Sequence, residues 1–336
     1  MRIGIDLMGS ESSPFILFEA VLDAAKLFDH IIFVVFANQA TLDVIHTLPQ
    51  FLQLSVLASK RIEFFLVADV IEMEDEPLLA IRQKKNSSLS IGVGLLKKGE
   101  IAAFISAGNT GALIACATLF LPLLPKIKRP ALLATLPTAK GDVAIIDVGG
   151  HVYCKATHLV QFAQMGAAYQ ICMQGIASPR IGLLNIGVES KKGTLEVQQA
   201  YQILQEQMPS SKLKMEFIGN IEGREVFQGK VDVLVTDGFT GNVLLKTSEG
   251  VSFFILDHLQ FALQEVRPEN KAEILSYLRH HFDYEEYTGA IVCGIDGIIV
   301  KCHGKTTAKG MFNSIQGAIH LIKNGFLYQI KQLLQA

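Results

Sequence analysis

Ile101-Ala-Ala-Phe-Ile-Ser-Ala-Gly-Asn-Thr-Gly-Ala-Leu-Ile-Ala-Cys116 decides the fold, because the chain restates its form at Val231-Asp-Val-Leu-Val-Thr-Asp-Gly-Phe-Thr-Gly-Asn-Val-Leu-Leu-Lys246. Each copy is an apolar β-rich run, then [Ser/Thr]-x-Gly-x-Thr-Gly, then an apolar run suited to a helix. A glycine-containing turn between a strand and a helix N-terminus bares backbone N–H groups, and the helix dipole adds partial positive charge there. Such a turn is an anion seat. Two in one chain imply a protein that holds phosphate, or a phosphate-bearing molecule, at the carboxyl edge of a parallel sheet. The plain alternative for either copy is a tight turn that needs glycine for backbone reasons only.

Outward from these turns, β-branched runs recur at Arg2–Asp6, Ile31–Phe36, Ile62–Val67, Val143–Asp147, Arg180–Ile186, Met215–Ile218, Gly289–Cys293 and Gly297–Lys301. Segments of helical period lie between them, at Pro14–Phe28, Ser88–Lys98, His158–Met173 and Thr194–Gln207. Alternation of this kind predicts an α/β protein, an α/β/α sandwich around a largely parallel, doubly wound sheet. No low-complexity linker divides residues 1–336, so a single α/β domain is expected. Near Gly250 the pattern changes. An apolar helix from Val251, a break at Arg267–Asn270 and a second helix from Lys271 predict a helical hairpin at about 251–286. Such an element suits dimer packing or contact with a membrane surface.

Half of the 336 residues are apolar and 18% are charged, which describes a well-buried globular chain. The net charge of −2 argues against nucleic acid as the main partner. A β-run beginning at Arg2 leaves no room for a signal peptide, so a cytoplasmic protein is expected. The apolar stretch Gly111–Pro125 is too short to span a bilayer and reads as a buried helix. The five cysteines include no C-x-x-C pair and read as reduced thiols; no metal site and no cofactor are expected.

Candidate chemistry gathers at strand ends. In the two repeated turns it comprises Ser106, Gly108, Asn109, Thr110 and Gly111, then Asp237, Gly238, Thr240, Gly241 and Asn242, with Lys246 one helical turn on. After another strand, Asn185-Ile-Gly-Val-Glu189-Ser-Lys-Lys192-Gly193 offers a loop whose lysine can neutralise a phosphate; the plain alternative is a solvated lysine pair. Asp6-Leu-Met-Gly9 and Asp147-Val-Gly-Gly150 each end a β-run with an aspartate, where a side chain points into the crevice or caps a helix. Lys301-Cys302-His303-Gly304-Lys305-Thr306 ends like a P-loop, but its first glycine would fall at Ile299, so that reading fails. His303 remains a candidate for phosphate binding or proton transfer. No G-x-G-x-x-G opens a helix, and neither G-x-S-x-G nor H-E-x-x-H occurs, which removes dinucleotide, serine-hydrolase and zinc-peptidase readings.

Together, residues 105–112, 147–149, 158–163, 185–193, 219–224, 236–246 and 300–304 resemble the bacterial phosphate acyltransferase family, from Met1 to about residue 330. That family converts acyl-acyl-carrier-protein thioesters to acyl phosphates for phospholipid synthesis. The resemblance implies a fold similar to phosphate acetyltransferases and isopropylmalate dehydrogenase. It also implies a homodimer loosely attached at the inner face of the cytoplasmic membrane, with a membrane glycerol-3-phosphate acyltransferase as downstream partner. Three departures stand out: Ser10-Glu11 where the family has Gly-Asp, His151-Val152-Tyr153 where it has Asn-x-Asp, and Val188 in the Asn185 loop.

Phosphorolysis of a thioester needs no protein nucleophile, because phosphate is largely dianionic near neutral pH and a thiolate leaves readily. It needs positioning and oxyanion stabilisation. The expected site combines the N–H groups of both turns with Lys192, Lys246 and His303, and Asn109 and Asn242 as side-chain donors. Rival readings are a coenzyme A-dependent phosphotransacylase, a non-catalytic phosphate- or acyl-binding protein, and a decarboxylating dehydrogenase of similar fold. The dehydrogenase would need an acidic metal cluster and a nicotinamide site that the sequence does not display.

Overall fold

The computed structural model describes residues 1–54, 56–207, 213–263, 274, 278 and 289–335. The chain divides into two compact units, Met1–Pro130 with Thr288–Gln335, and Ala131–Tyr287.

The first unit holds strands β1 (Arg2–Asp6), β2 (Ile32–Ala37), β3 (Ile62–Leu66) and β4 (Ala103–Ser106), with β10 (Ala290–Cys293) and β11 (Ile299–Lys301) from the C-terminal segment. Their order is β3-β2-β1-β4-β11-β10. All neighbours run parallel except β10 against β11. These strands are continuous apolar runs because both faces are covered: Ile3, Ile5, Phe33, Phe36 and Phe104 are fully buried. Pro14 opens the helix Pro14–Leu27 behind the Ser13 cap, and that helix packs on Ala308–Lys323. Ser87 caps Ser88–Lys97, which packs on Thr110–Phe120. The chain winds outward from β1 through β2 to β3 and then returns to β4 on the other side of β1. That reversal is a topological switch point, and ligands of open α/β sheets bind outside the carboxyl ends of strands at such points.

The second unit holds β5 (Ala131–Thr138), β6 (Gly141–Ile146), β7 (Arg180–Asn185), β8 (Glu216–Glu222) and β9 (Val233–Val235), in the order β5-β6-β9-β7-β8. Only β5 against β6 is antiparallel. Sequence reading missed β5, because Pro137 interrupts its apolar run and proline demotes a strand. Here Pro137 faces Asp142, one pair from the turn of a tight hairpin that closes at Thr138 and Gly141. The helix Ala156–Gln174 packs on β6 and β9 and against Leu195–Gln207.

The helix Gly238–Ala262 runs unbroken for 25 residues. The expected hairpin arm from Val251 is therefore the second half of a helix that already began at Gly238. Gly250 is carried inside it at a cost of about 1 kcal/mol, and the Ser248 hydroxyl donates back to the Leu244 carbonyl at 2.8 Å. Beyond Leu263 most of the expected hairpin lies outside the described residues. Among the described residues, no helix is long and apolar enough to cross a membrane.

Candidate functional site

In the first unit, three neighbouring parallel strands end in polar side chains at one level. Asp6 of β1 pairs in register with Ser106 of β4, and Ser106 with Lys301 of β11. All three are buried. The Ser106 hydroxyl donates to Asp6 Oδ2 at 2.8 Å and accepts from the Gly108 N–H at 3.0 Å. Asp6 Oδ1 accepts from the Met8 N–H at 2.9 Å. The Lys301 ammonium donates to the Ala107 carbonyl at 3.3 Å and also to that of Cys302. Burial pushes the Asp6 carboxyl up to about 6, against the pull of the Met8 N–H, the Ser88 and Ser106 hydroxyls and the Lys301 charge. This row shapes both loops that leave the sheet at the switch point.

Gly9 takes φ +64°, and a Cβ there would lie 2.1 Å from the Ile71 carbonyl oxygen, so the β1 loop needs glycine at that position. The Ser10 and Ser12 hydroxyls donate to the Gly304 and Thr306 carbonyls at 3.0 and 2.7 Å, tying this loop to the one after β11. In that second loop His303 Nδ1 accepts from the Lys305 N–H at 3.1 Å, so the proton of the neutral ring is on Nε2.

Asn109 caps Thr110–Phe120, its Oδ1 accepting from the Ala112 N–H at 3.0 Å. Its Nδ2 donates to the carbonyls of Glu72, Met73 and Asp75 at 3.2, 3.0 and 3.1 Å. The expectation that Asn109 donates to a ligand is thereby corrected. Its hydrogens are spent on the 72–75 loop, and it positions the turn. The N–H groups of Thr110 and Gly111 have no acceptor among the described residues. The first repeated turn thus leaves two N–H groups of its helix N-terminus unspent among the described residues.

The second unit gathers the loops after β6, β9 and β7. A cis peptide joins Ile146 to Asp147. The fully buried Asp147 carboxylate accepts from the N–H groups of Leu132, Gly150 and His151 at 2.9, 2.8 and 2.8 Å. It organises the loop and offers nothing to a ligand. Asp237 caps Gly238–Ala262, its Oδ1 taking the Thr240 N–H at 2.7 Å and its carbonyl the Gly241 N–H at 2.9 Å. The Gly238 N–H goes to the His151 carbonyl at 2.8 Å. The two repeated turns are therefore not equivalent. In the second, the helix begins two residues earlier relative to the motif, and its N–H groups at Gly238, Thr240 and Gly241 are consumed internally. The second turn's expected role as a backbone anion seat is corrected accordingly. Gly241 serves close packing, since a Cβ there would lie 1.9 Å from the Asp147 carbonyl oxygen.

What the second turn does present is Asn242, an exposed side chain beside Gly149 whose amide has no partner among the described residues. Lys246, one turn along, is 3.9 Å from Glu249. In the third loop Asn185 accepts from the Ile186 N–H at 2.8 Å and donates to the Lys192 carbonyl at 3.0 Å, closing the loop on itself. Asn220 donates to the Glu189 carbonyl at 2.8 Å from the adjacent strand β8. Asn185 and the Glu189 backbone are thus scaffold, and they hold out the exposed Lys192, which has no ion-pair partner among the described residues. The Tyr153 hydroxyl donates to Glu196 at 2.5 Å and links the β6 loop to the helix that follows the β7 loop.

The candidates drawn from the sequence lie on two strand-edge clusters and do not include Lys301. The signal was available: a lysine closing an apolar strand beside two others that close in Asp6 and Ser106.

The chain is similar in sequence and in fold to known proteins. A family model described as fatty acid synthesis protein matches residues 1–329. A phosphate acyltransferase from Chlamydia caviae is 40% identical over 327 residues, covering 96% of this chain and 96% of that protein. Another from Caldanaerobacter subterraneus is 38% identical over 340 residues, covering 100% and 98%. In structure, a phosphotransacetylase from Staphylococcus aureus superposes with a TM-score of 0.60 at 14% identity, over 99% of this chain and 94% of that one, a likeness of fold. With the α/β fold and full-length identity of this order, the chain belongs to the phosphate acyltransferase family and is an acyltransferase.

Proposed function

We propose that the protein transfers a fatty acyl group from acyl-acyl-carrier protein to inorganic phosphate, giving acyl phosphate for phospholipid synthesis. The observation that carries this reading is the pair of unspent donors, Lys192 and Asn242, on loops whose remaining polar groups hold one another in place. A phosphate oxygen attacks the thioester carbonyl carbon, a C–O bond forms, and the oxyanion collapses with cleavage of the C–S bond and departure of thiolate. Lys192 neutralises phosphate as a point charge, and Asn242 donates to the developing oxyanion. Lys246 adds positive charge one helical turn from Asn242. In the first unit, the open N–H groups of Thr110 and Gly111, together with His303, offer an anion-binding site of their own.

The same reading makes the protein a homodimer at the inner face of the cytoplasmic membrane that passes acyl phosphate to a membrane glycerol-3-phosphate acyltransferase. Exposed Phe253, Phe254 and Ile255 on the long helix support an association of that kind.

The test is to offer acyl-carrier-protein and coenzyme A thioesters of one acyl chain with phosphate, and to trap acyl phosphate as the hydroxamate. Hydroxamate from the carrier-protein thioester is the expected result. Product from the coenzyme A thioester alone would replace the donor, and no product from either would overturn the reading.

A further inference from the structure

The loops that hold out Lys192 and Asn242 are edged with apolar side chains that nothing described covers. Val152 is 79% exposed, Ile186 82%, Val188 55%, Leu195 64% and Phe239 61%. Single exposed apolar residues are ordinary, but five at the carboxyl edge of three adjacent strands call for an occupant. Adjacency follows from the sheet and its hydrogen bonds. Strands β6, β9 and β7 are neighbours. Val152 lies between His151, whose carbonyl takes the Gly238 N–H, and Tyr153, bonded to Glu196 next to Leu195. Phe239 is in the first turn of the helix that carries Asn242, and Ile186 and Val188 flank Gly187 within the loop closed by Asn185.

We propose that this rim is the subsite for the acyl chain of the donor, with Ile186 and Val188 as its specificity-determining residues. The inference rests on the proposed acyl transfer and names where the chain lies. A fatty acyl group is the occupant that fits, because Phe239 shares a helix N-terminus with Asn242, and Ile186 and Val188 share a loop with Lys192, the two donors assigned to the thioester carbonyl and phosphate. The reacting carbonyl beside Asn242 leaves the alkyl tail to run over the nearest apolar surface. The loop is held by Asn185 and Asn220 through main-chain atoms, so its outward side chains are free to be chosen for the chain they meet. Each methylene laid against such a surface is worth up to about fourfold in affinity.

The test compares butyryl- and palmitoyl-acyl-carrier protein as donors for the wild type and for Ile186→Ser/Val188→Ser, by hydroxamate trapping. Both residues are exposed, so the fold should tolerate the change. The expected result is a rise in KM of roughly tenfold or more for the palmitoyl donor, with the butyryl donor within about twofold. Calorimetric titration with palmitic acid, which needs no turnover, should show the same loss. Equal effects on both donors, or unchanged palmitate binding, would overturn the subsite. So would a shift in oligomeric state with an unchanged chain-length profile, which would make the rim a contact between copies. A wild type that binds palmitate but yields no hydroxamate would overturn the proposed reaction while leaving the subsite in place.

Discussion

Replacing Asp6 by asparagine removes the one buried carboxyl of the β1–β4–β11 row. Burial raises this carboxyl to about 6 from an ordinary value of 3.8. The sign follows from proton counting. Between these values the folded protein holds a proton that the unfolded chain has released, so stability falls as pH rises through this range. Above the folded value the loss is complete, about 2 pH units at 1.36 kcal/mol each, or roughly 3 kcal/mol. Between pH 5 and 7.5 the wild type should lose about 1.4 kcal/mol that Asp6→Asn does not. Burial also raises the Asp142 and Glu249 carboxyls, whose contributions are common to both proteins. The difference between the two proteins cancels them. Urea unfolding of both at pH 5 and pH 7.5 reads that difference. A gap in stability that narrows toward the variant by about this amount as pH rises is expected. A gap independent of pH would refute the claim that Asp6 folds as a desolvated carboxyl.

Asn109→Ala should destabilise the protein by about 2 kcal/mol, through loss of a helix cap and of the bonds to the 72–75 loop, measured by urea unfolding. Asn242→Ala and Lys192→Ala should leave the unfolding midpoint nearly unchanged and each slow turnover by roughly 100-fold in a steady-state assay. Gly241→Ala drives a methyl into the Asp147 carbonyl and should cost about 3 kcal/mol or prevent folding, read by thermal denaturation and soluble yield.

The strand-end aspartates show how far sequence reaches and where it stops. Asp6, Asp147 and Asp237 all end apolar β-runs, which placed each at a carboxyl edge, and the structure puts each at or just beyond the end of a strand. What each carboxylate does was not legible. An aspartate at a strand end accepts from a ligand or from its own loop, and the choice depends on which N–H groups the tertiary fold brings near. Here Asp147 is filled by main-chain donors from strand β5 and from its own loop, and Asp237 by its own helix. Asn109 misled for the same reason, since its amide partners at residues 72–75 are distant in sequence. Lys301 was passed over because a lysine ending a strand usually points to water; here its ammonium is held inside by the Ala107 and Cys302 carbonyls, among others. The repeated turn was right as an edge signal and wrong as an equivalence. The cap falls at the fourth motif position in one copy and at the second in the other.

Phosphate-dependent release of thiol from an acyl-acyl-carrier-protein thioester tests the central claim most directly, with acyl phosphate trapped as hydroxamate in the same reaction. Thiol should appear only when inorganic phosphate is present, in one-to-one ratio with hydroxamate. Thiol released without phosphate, or matched by free fatty acid in place of hydroxamate, would contradict transfer of the acyl group to phosphate.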